Sequence, residues 1–499
     1  MNSATYEEKF RPQFHFTPEA NWMNDPNGMV YYEGEYHLFY QYYPGGTIWG
    51  PMHWGHAISK DLIHWEHLPT ALEPDEHGFI FSGSAVVDWK DSSGLFAGGS
   101  GLVAIFTHHD TNPETQEVRQ RQSLAYSLDK GRSWIKYAGN PVLSEEQIID
   151  FRDPKVIWHE ETQRWVMVLA AGNHARFYNS PDLKSWSFTG EFGLSDGSHD
   201  GVWECPDLFE LSVEGEPGKK QWVLIISIGD HPDHPEGSRT QYFVGDFDGR
   251  TFTNSNSPET VLWVDHGRDN YAGVTWSDIP EEDGRRIFLG WMSNWKYANF
   301  TPTVTWRSAM TIPRVLSLIS NEEGVRLVQR PIDELQHLRL SKQYWEEMHV
   351  APEQPFSSGK VGELLEVRVE FEVGDAKLVG LKLKSSMGEE TLIGYDVRTS
   401  LLFIDRLASG QIDFHQQFAC RHEAPLQLDN GRIFLHLFLD SSSIEVFAND
   451  GKTVMTDLIF PESGSKELEL FAEAGAAKIV SLEVDHLNSI YSTLKVKSS

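Results

Sequence analysis

The chain has 499 residues and a formal net charge of −31, from 42 Lys and Arg against 73 Asp and Glu. That acidity excludes nucleic acid and anionic membrane surfaces as partners, because holding a polyanion takes clustered cations. No apolar run of the roughly 18 residues that a membrane span needs is present, and Cys205 and Cys420 do not make a disulfide framework.

The opening segment, MNSATYEEKF, has neither a basic nor an apolar stretch of the secretory kind. As written this places the chain in the cytoplasm; a leader removed beforehand would make it a secreted protein. The first structural signal is NWMNDPNGMVYY, residues 21–32. Pro26, Asn27 and Gly28 are turn formers, so the spacing predicts a turn that holds Asp25 at the entrance of a hairpin. Its strands would be Met29–Tyr32 and Tyr36–Tyr40, joined at Glu33-Gly34-Glu35. Further on, LVAIFTHHD, RWVMVLAAG, QWVLIISIG and RIFLGWMSN each read as a short strand ending in polar residues or glycine.

One pattern recurs along this region. SKDLIHW (59–65), SLDKGRSW (127–134), SPDLKSW (180–186) and GDFDGRTF (245–252) each set an Asp four or five residues before an aromatic ring. Repeats of about 40 to 70 residues, each with four short strands, indicate a β-propeller. The Asp-turn-aromatic unit would close the outer hairpin of a blade. With GRRIFLGWMSNW as a fifth unit, residues 1–335 make a five-bladed propeller. Residues 336–349 are expected to be a linker, within the stretch that reads most like a helix. Residues 350–499 then alternate apolar and polar, as in LLEVRVEFEVG and RIFLHLFLD, the signature of an antiparallel β-sandwich. The fold class is therefore all-β, a five-bladed propeller followed by a sandwich.

Three acids sit at strand starts in different repeats: Asp25 in WMNDPNG, Asp153 in FRDPKVIW and Glu204 in VWECPDLF. The inner strands of a propeller line one channel, so these carboxyls would converge at one mouth. Convergent carboxyls among aromatic side chains are what glycoside hydrolysis needs: a nucleophile, an acid/base and a group that stabilises the sugar cation. HWGH and HPDH do not read as metal sites, since strand alternation sends His53 and His56 to opposite faces and prolines interrupt the second set. Cys205 reads as a buried packing residue.

The same motifs carry a family resemblance. NWMNDPNG, RDP and WECPDLF, with LFYQYYP (38–44), FSGSAVVD (81–88), TQYFVGDFDG (240–249), GWMSNWKYAN (290–299) and SSIEVFANDG (442–451), resemble glycoside hydrolase family 32 over nearly the whole chain. This family contains the invertases, inulinases and levanases. The resemblance implies Asp25 as nucleophile, Glu204 as acid/base and Asp153 as transition-state stabiliser, in a retaining mechanism without a cofactor. It also implies a fructosyl pocket shaped by Asn24, Gln41, Trp49, Phe81, Ser82, Arg152 and Trp295. An apolar wall at Trp203 would keep Glu204 protonated. Phe81, where many invertases carry Trp, leans toward the fructan-degrading bacterial members. Asn270 stands where the family usually has an aromatic residue, which leaves Asp269 and Tyr271 without an assigned contact. The expected activity is exo-acting release of terminal fructose from levan, inulin, fructooligosaccharides and sucrose. A dedicated invertase, a fructosyltransferase or a sugar-binding propeller are the alternatives, and a homo-oligomer stays open.

Overall fold

The computed structural model describes residues 6–385 and 387–491. The segments Asn21–Tyr32, Phe79–Asp88, Phe151–His159, Trp203–Ser212 and Tyr271–Thr275 each lead an antiparallel sheet. These five strands touch one another in a closed ring, so they are the inner strands of five blades. Strands such as Arg164–Ala171 are buried on both sides, because each blade stacks face to face on its neighbours. This is why they read as continuous apolar runs.

The ring is closed by a parallel pairing of Asn21 and Trp22 with Trp306 and Arg307. The recurring Asp-turn-aromatic unit lies where expected, between the third and fourth strands of blades one to four. Its physical cause is an Asx-type turn. Oδ1 of Asp61 accepts the backbone N–H of Ile63 and His64 at 3.0 and 2.8 Å, and Oδ1 of Asp182 accepts those of Lys184 and Ser185 at 3.0 and 2.7 Å. Asp248 does the same for Arg250 and Thr251, both at 2.8 Å.

Two expectations are corrected. Asn24 to Gly28 is not a turn at a hairpin entrance but part of one strand, Asn21–Tyr32, whose register slips twice, between Met23 and Pro26 and between Asn27 and Val30. Residues 336–349 are not a linker. A short 3₁₀ turn, Asp333–Leu338, leads directly into the strand Arg339–Val350, which pairs along its length with Ala477–Leu487. That strand belongs to the sandwich, which has two six-stranded antiparallel sheets. Its core is built by alternation: Val367, Val369 and Phe371 point inward while Arg368, Glu370 and Glu372 face out.

The two domains meet through buried charges. Arg314 of blade five is fully buried and bonds Asp265 at 3.0 Å, Glu445 at 2.5 Å and Thr456 at 2.6 Å. His15 lies between Asp440 and Glu445, 2.7 Å from each. A second cluster joins Arg406 to Asp269 at 2.8 Å and to the Tyr297 hydroxyl at 2.9 Å.

Candidate active site

All five inner strands carry the same irregularity near their N-terminal ends. Pairing with the second strand skips from Met23 to Pro26, from Ile80 to Gly83, from Arg152 to Lys155, from Glu204 to Asp207 and from Tyr271 to Val274. In each, two residues oppose one, which is a β-bulge, and a bulge re-aims side chains at a rim. The bulged pairs are Asn24-Asp25, Phe81-Ser82, Asp153-Pro154, Cys205-Pro206 and Ala272-Gly273. The residues just before the bulge in blades three, four and five are Arg152, Glu204 and Tyr271. One backbone device, repeated around the ring, thus aims the polar groups at a single mouth.

This geometry is held under strain. Asp153, Cys205 and Ala272, the first bulge residues of three consecutive blades, have φ of 63, 46 and 53°. Non-glycine residues rarely adopt that region, and the cost, on the order of 1–3 kcal/mol each, is typical of sites over-determined by their surroundings.

The structure brings the three sequence-predicted acids together. Asp25 is 9% exposed and Asp153 6%, while Glu204 is more open. Both carboxyl oxygens of Asp25 accept hydrogen bonds, Oδ1 from Asn24 Nδ2 at 3.0 Å and Oδ2 from Ser82 Oγ at 2.8 Å. Asn24 is itself fixed by the indole N–H of Trp22 at 2.7 Å. Oδ2 of Asp153 accepts the Cys205 backbone N–H at 3.0 Å. The Cys205 thiol lies 3.5 Å from both Asp25 and Asp153. Burial pushes that thiol well up, so it remains protonated and is no nucleophile.

Among the described residues, Arg152 is the one cation paired directly with this group. Its Nη2 lies 2.9 Å from Glu204 Oε1, its Nη1 2.5 Å from Asp150, and its Nε 3.8 Å from Asp153. The other oxygen of Glu204 accepts the hydroxyl of Tyr271. The expected apolar wall is therefore not what surrounds the Glu204 carboxyl. The Trp203 indole packs into the core between blades three and four and donates to the Ser198 carbonyl at 3.0 Å. Tyr271, left unassigned in the sequence, is the partner that sequence reasoning missed. No sequence signal marked it: it precedes a bulge as Arg152 and Glu204 do, a position visible only in the strand pairing.

The two most buried carboxyls, Asp25 and Asp153, are shifted by their surroundings. Burial raises Asp25 above the ordinary carboxylate range, helped by the Glu204 charge and opposed by the Asn24 and Ser82 hydrogen bonds. Burial likewise raises Asp153, to about 7; Arg152 opposes this, and the charges of Glu204 and Asp25 add to it.

The remaining predicted pocket residues divide into a rim and a support. Trp49, 40% exposed, meets the Phe81 ring edge-on at 6.1 Å, and Phe81 stacks on His109 at 4.2 Å. Trp295 stacks on Trp22 at 6.0 Å, placing it beside the strand that carries Asp25. Gln41 is buried, and its amide is spent on Asn27 at 2.9 Å and the Ile80 carbonyl at 3.1 Å. It therefore ties blade one to blade two. Asp269 lies in the interdomain cluster, away from this mouth.

The chain matches two family models, the glycosyl hydrolases family 32 N-terminal domain over residues 15–331 and the family 32 C-terminal domain over residues 334–486. It is 53% identical over 503 residues to a levanase of Bacillus subtilis (strain 168), spanning 100% of this chain and 73% of that protein. Among solved structures it superposes on an exo-inulinase from Aspergillus awamori with a TM-score of 0.89 at 36% identity, covering 97% of this chain and 100% of that one. It superposes on a β-fructofuranosidase from Schwanniomyces occidentalis, complexed with fructosyl-erythritol, with a TM-score of 0.86 at 32% identity, covering 96% and 98%.

Proposed function

Because the chain belongs to glycoside hydrolase family 32 through both of its domains, we propose that it is a retaining, exo-acting fructan β-fructosidase that frees terminal fructose from levan- and inulin-type chains and from sucrose. The observation that carries the reading is the convergence of Asp25, Asp153 and Glu204, from three blades, on one mouth fenced by Trp49, Phe81 and Trp295.

In this mechanism Asp25 attacks the anomeric carbon of the terminal fructosyl unit. Glu204 gives its proton to the departing glycosidic oxygen, so the leaving chain departs as an alcohol and a fructosyl ester forms on Asp25. Glu204, now ionised, takes a proton from water, which attacks the same carbon and releases Asp25 as a carboxylate. The hydrogen bonds from Asn24 and Ser82 favour ionised Asp25 against the cost of its burial. Asp153 accepts hydrogen bonds from fructosyl hydroxyls and stabilises positive charge on the ring. Arg152 and Tyr271 hold the Glu204 carboxyl in place between its two proton transfers.

The test is a product profile over time on levan, inulin and sucrose. Fructose as the only early product from the polymers supports the reading. A ladder of oligosaccharides would refute exo action.

A further inference from the structure

The acids occupy the N-terminal ends of the inner strands. The C-terminal ends of the same strands form a second opening at the other end of the channel. A cavity of about 280 Å³ lies there, walled by residues 86–90 of blade two, residues 156–158 of blade three, and Ser277, Asp278 and Arg286 of blade five. No part of the mechanism above uses it.

Its side chains are arranged as a recognition surface. Trp89 is 57% exposed, yet its ring is not free to turn: the indole N–H donates to Asp278 Oδ1 at 2.9 Å. The other oxygen of Asp278 accepts the Val87 backbone N–H at 3.0 Å, and Asp278 itself sits at φ 59°. Trp158 is pinned in the same way, its indole N–H 2.6 Å from Glu160 Oε2. Lys90 lies 5.2 Å from the Trp158 ring centre. Ser277 is nearly buried and its hydroxyl has no hydrogen-bond partner.

We propose that this opening is a second carbohydrate site, which holds a fructosyl oligosaccharide segment. The ligand class follows from the chemistry. The fixed, exposed indole face of Trp89 offers stacking to the C–H face of a sugar ring at little cost in side-chain freedom, and the half-buried Trp158, packed against Trp165 and Lys90, borders it. Beside them stand a carboxylate, a guanidinium and an ammonium, which can bond hydroxyls as acceptor and donors. The proposal rests on the fructan reading of the active site. A long, coiled chain held on this face can present another of its ends to the acids on the opposite face, which raises the local concentration of chain ends.

The site is tested by calorimetric titration of Glu204→Gln protein with an inulin-type oligosaccharide. Two binding sites per chain are expected in this background, and one after adding Trp89→Ala or Trp89→Ala with Trp158→Ala. In the otherwise wild-type enzyme, Trp89→Ala should raise KM on the polymer about 3- to 10-fold, the worth of one stacking contact. Sucrose hydrolysis should not change. Trp89 is on the surface, so its single variant remains informative if the double variant folds poorly. One site per chain in the Glu204→Gln protein while the wild type releases fructose, or two sites that survive Trp89→Ala, would overturn the second site alone. Failure of the wild type to release fructose from any fructan would sink the fructosidase reading and this ligand class with it.

Discussion

Arg152 and Glu204 occupy the same place in adjacent blades, the last residue before the bulge, and the guanidinium of one lies 2.9 Å from the carboxylate of the other. Tyr271 repeats the position one blade further and donates to the same carboxyl. Tyr271→Phe removes that donor without changing ring volume. A hydrogen bond to a charged group contributes about 1.5–3 kcal/mol, so kcat should fall about 10- to 100-fold with KM for sucrose little changed. Arg152→Lys should cost at least as much, because an ammonium cannot reach Asp150 and Glu204 together as the planar fork does. Wild-type kcat in both variants would show that this row of residues is scaffold only.

The two proposed bond-breaking residues give a sharper test. Asp25→Ala and Glu204→Ala should each lower kcat on the order of a thousandfold, with folding intact. Azide should restore part of the Asp25→Ala activity, since a small anion can occupy the place of the lost nucleophile. Rescue of Glu204→Ala but not of Asp25→Ala would exchange the roles.

Asp153 links the site to stability. Its carboxyl titrates at about 7 in the folded protein, against an ordinary 3.8, so the folded chain keeps a proton that the unfolded chain releases. A carboxyl raised in this way costs nothing below its ordinary value, and the cost grows as pH rises toward and through 7. Asp153→Asn removes the titration. Its melting temperature should exceed that of the wild type by more at pH 8 than at pH 5, the difference being equivalent to at most about 3 kcal/mol, while activity is lost. An equal difference at both pH values would mean that Asp153 titrates normally.

At the domain interface the sign is reversed. Burial alone would lower His15, but its bonds to Asp440 and Glu445 prevail and hold it at about 9, above the usual 6.5. Its stabilising contribution is complete below about 6.5 and is lost as pH rises through about 9. Melting temperature should therefore decline from about pH 6.5 to about 9, and His15→Ala, which leaves two buried carboxylates short of a partner, should cost about 3–5 kcal/mol. Scanning calorimetry from pH 7 to 10 on both proteins checks this; parallel curves would remove His15 from the account.

Stereochemistry tests the retaining mechanism directly. NMR of the first-formed fructose, before mutarotation, should show the β-anomer. Retention requires the nucleophile and acid/base about 5–5.5 Å apart, whereas inversion leaves roughly 6.5–9.5 Å for water. The α-anomer would make Asp25 a base acting on water.

Much of this was legible in the sequence, for identifiable reasons. The outer turns could be read because each is built from an Asp that caps its own backbone, so Asp61, Asp182 and Asp248 recur at fixed offsets from an aromatic residue. The three acids could be read because Trp and Pro flank them. The bulges could not, because Asp153, Cys205 and Ala272 adopt positive φ without being glycine. In Asn21–Tyr32 the turn formers Pro26, Asn27 and Gly28 serve a bulged strand instead of a turn. Arg339–Val350 escaped as a strand because it lies at a sheet edge with almost every side chain in water, which leaves no alternation to read.

The parallel clasp of Asn21 and Trp22 on Trp306 and Arg307 also sets an order in time. Asp25 lies a few residues from that clasp, and Trp295 comes from the same late part of the chain. During synthesis the first acid emerges early, yet the strand that carries it keeps an open edge until nearly 300 more residues have been made. A nascent chain halted before residue 306 holds Asp25, Asp153 and Glu204 but lacks the clasp on the strand that carries Asp25. Catalytic competence should therefore arrive all at once, with the last blade, and not build up blade by blade.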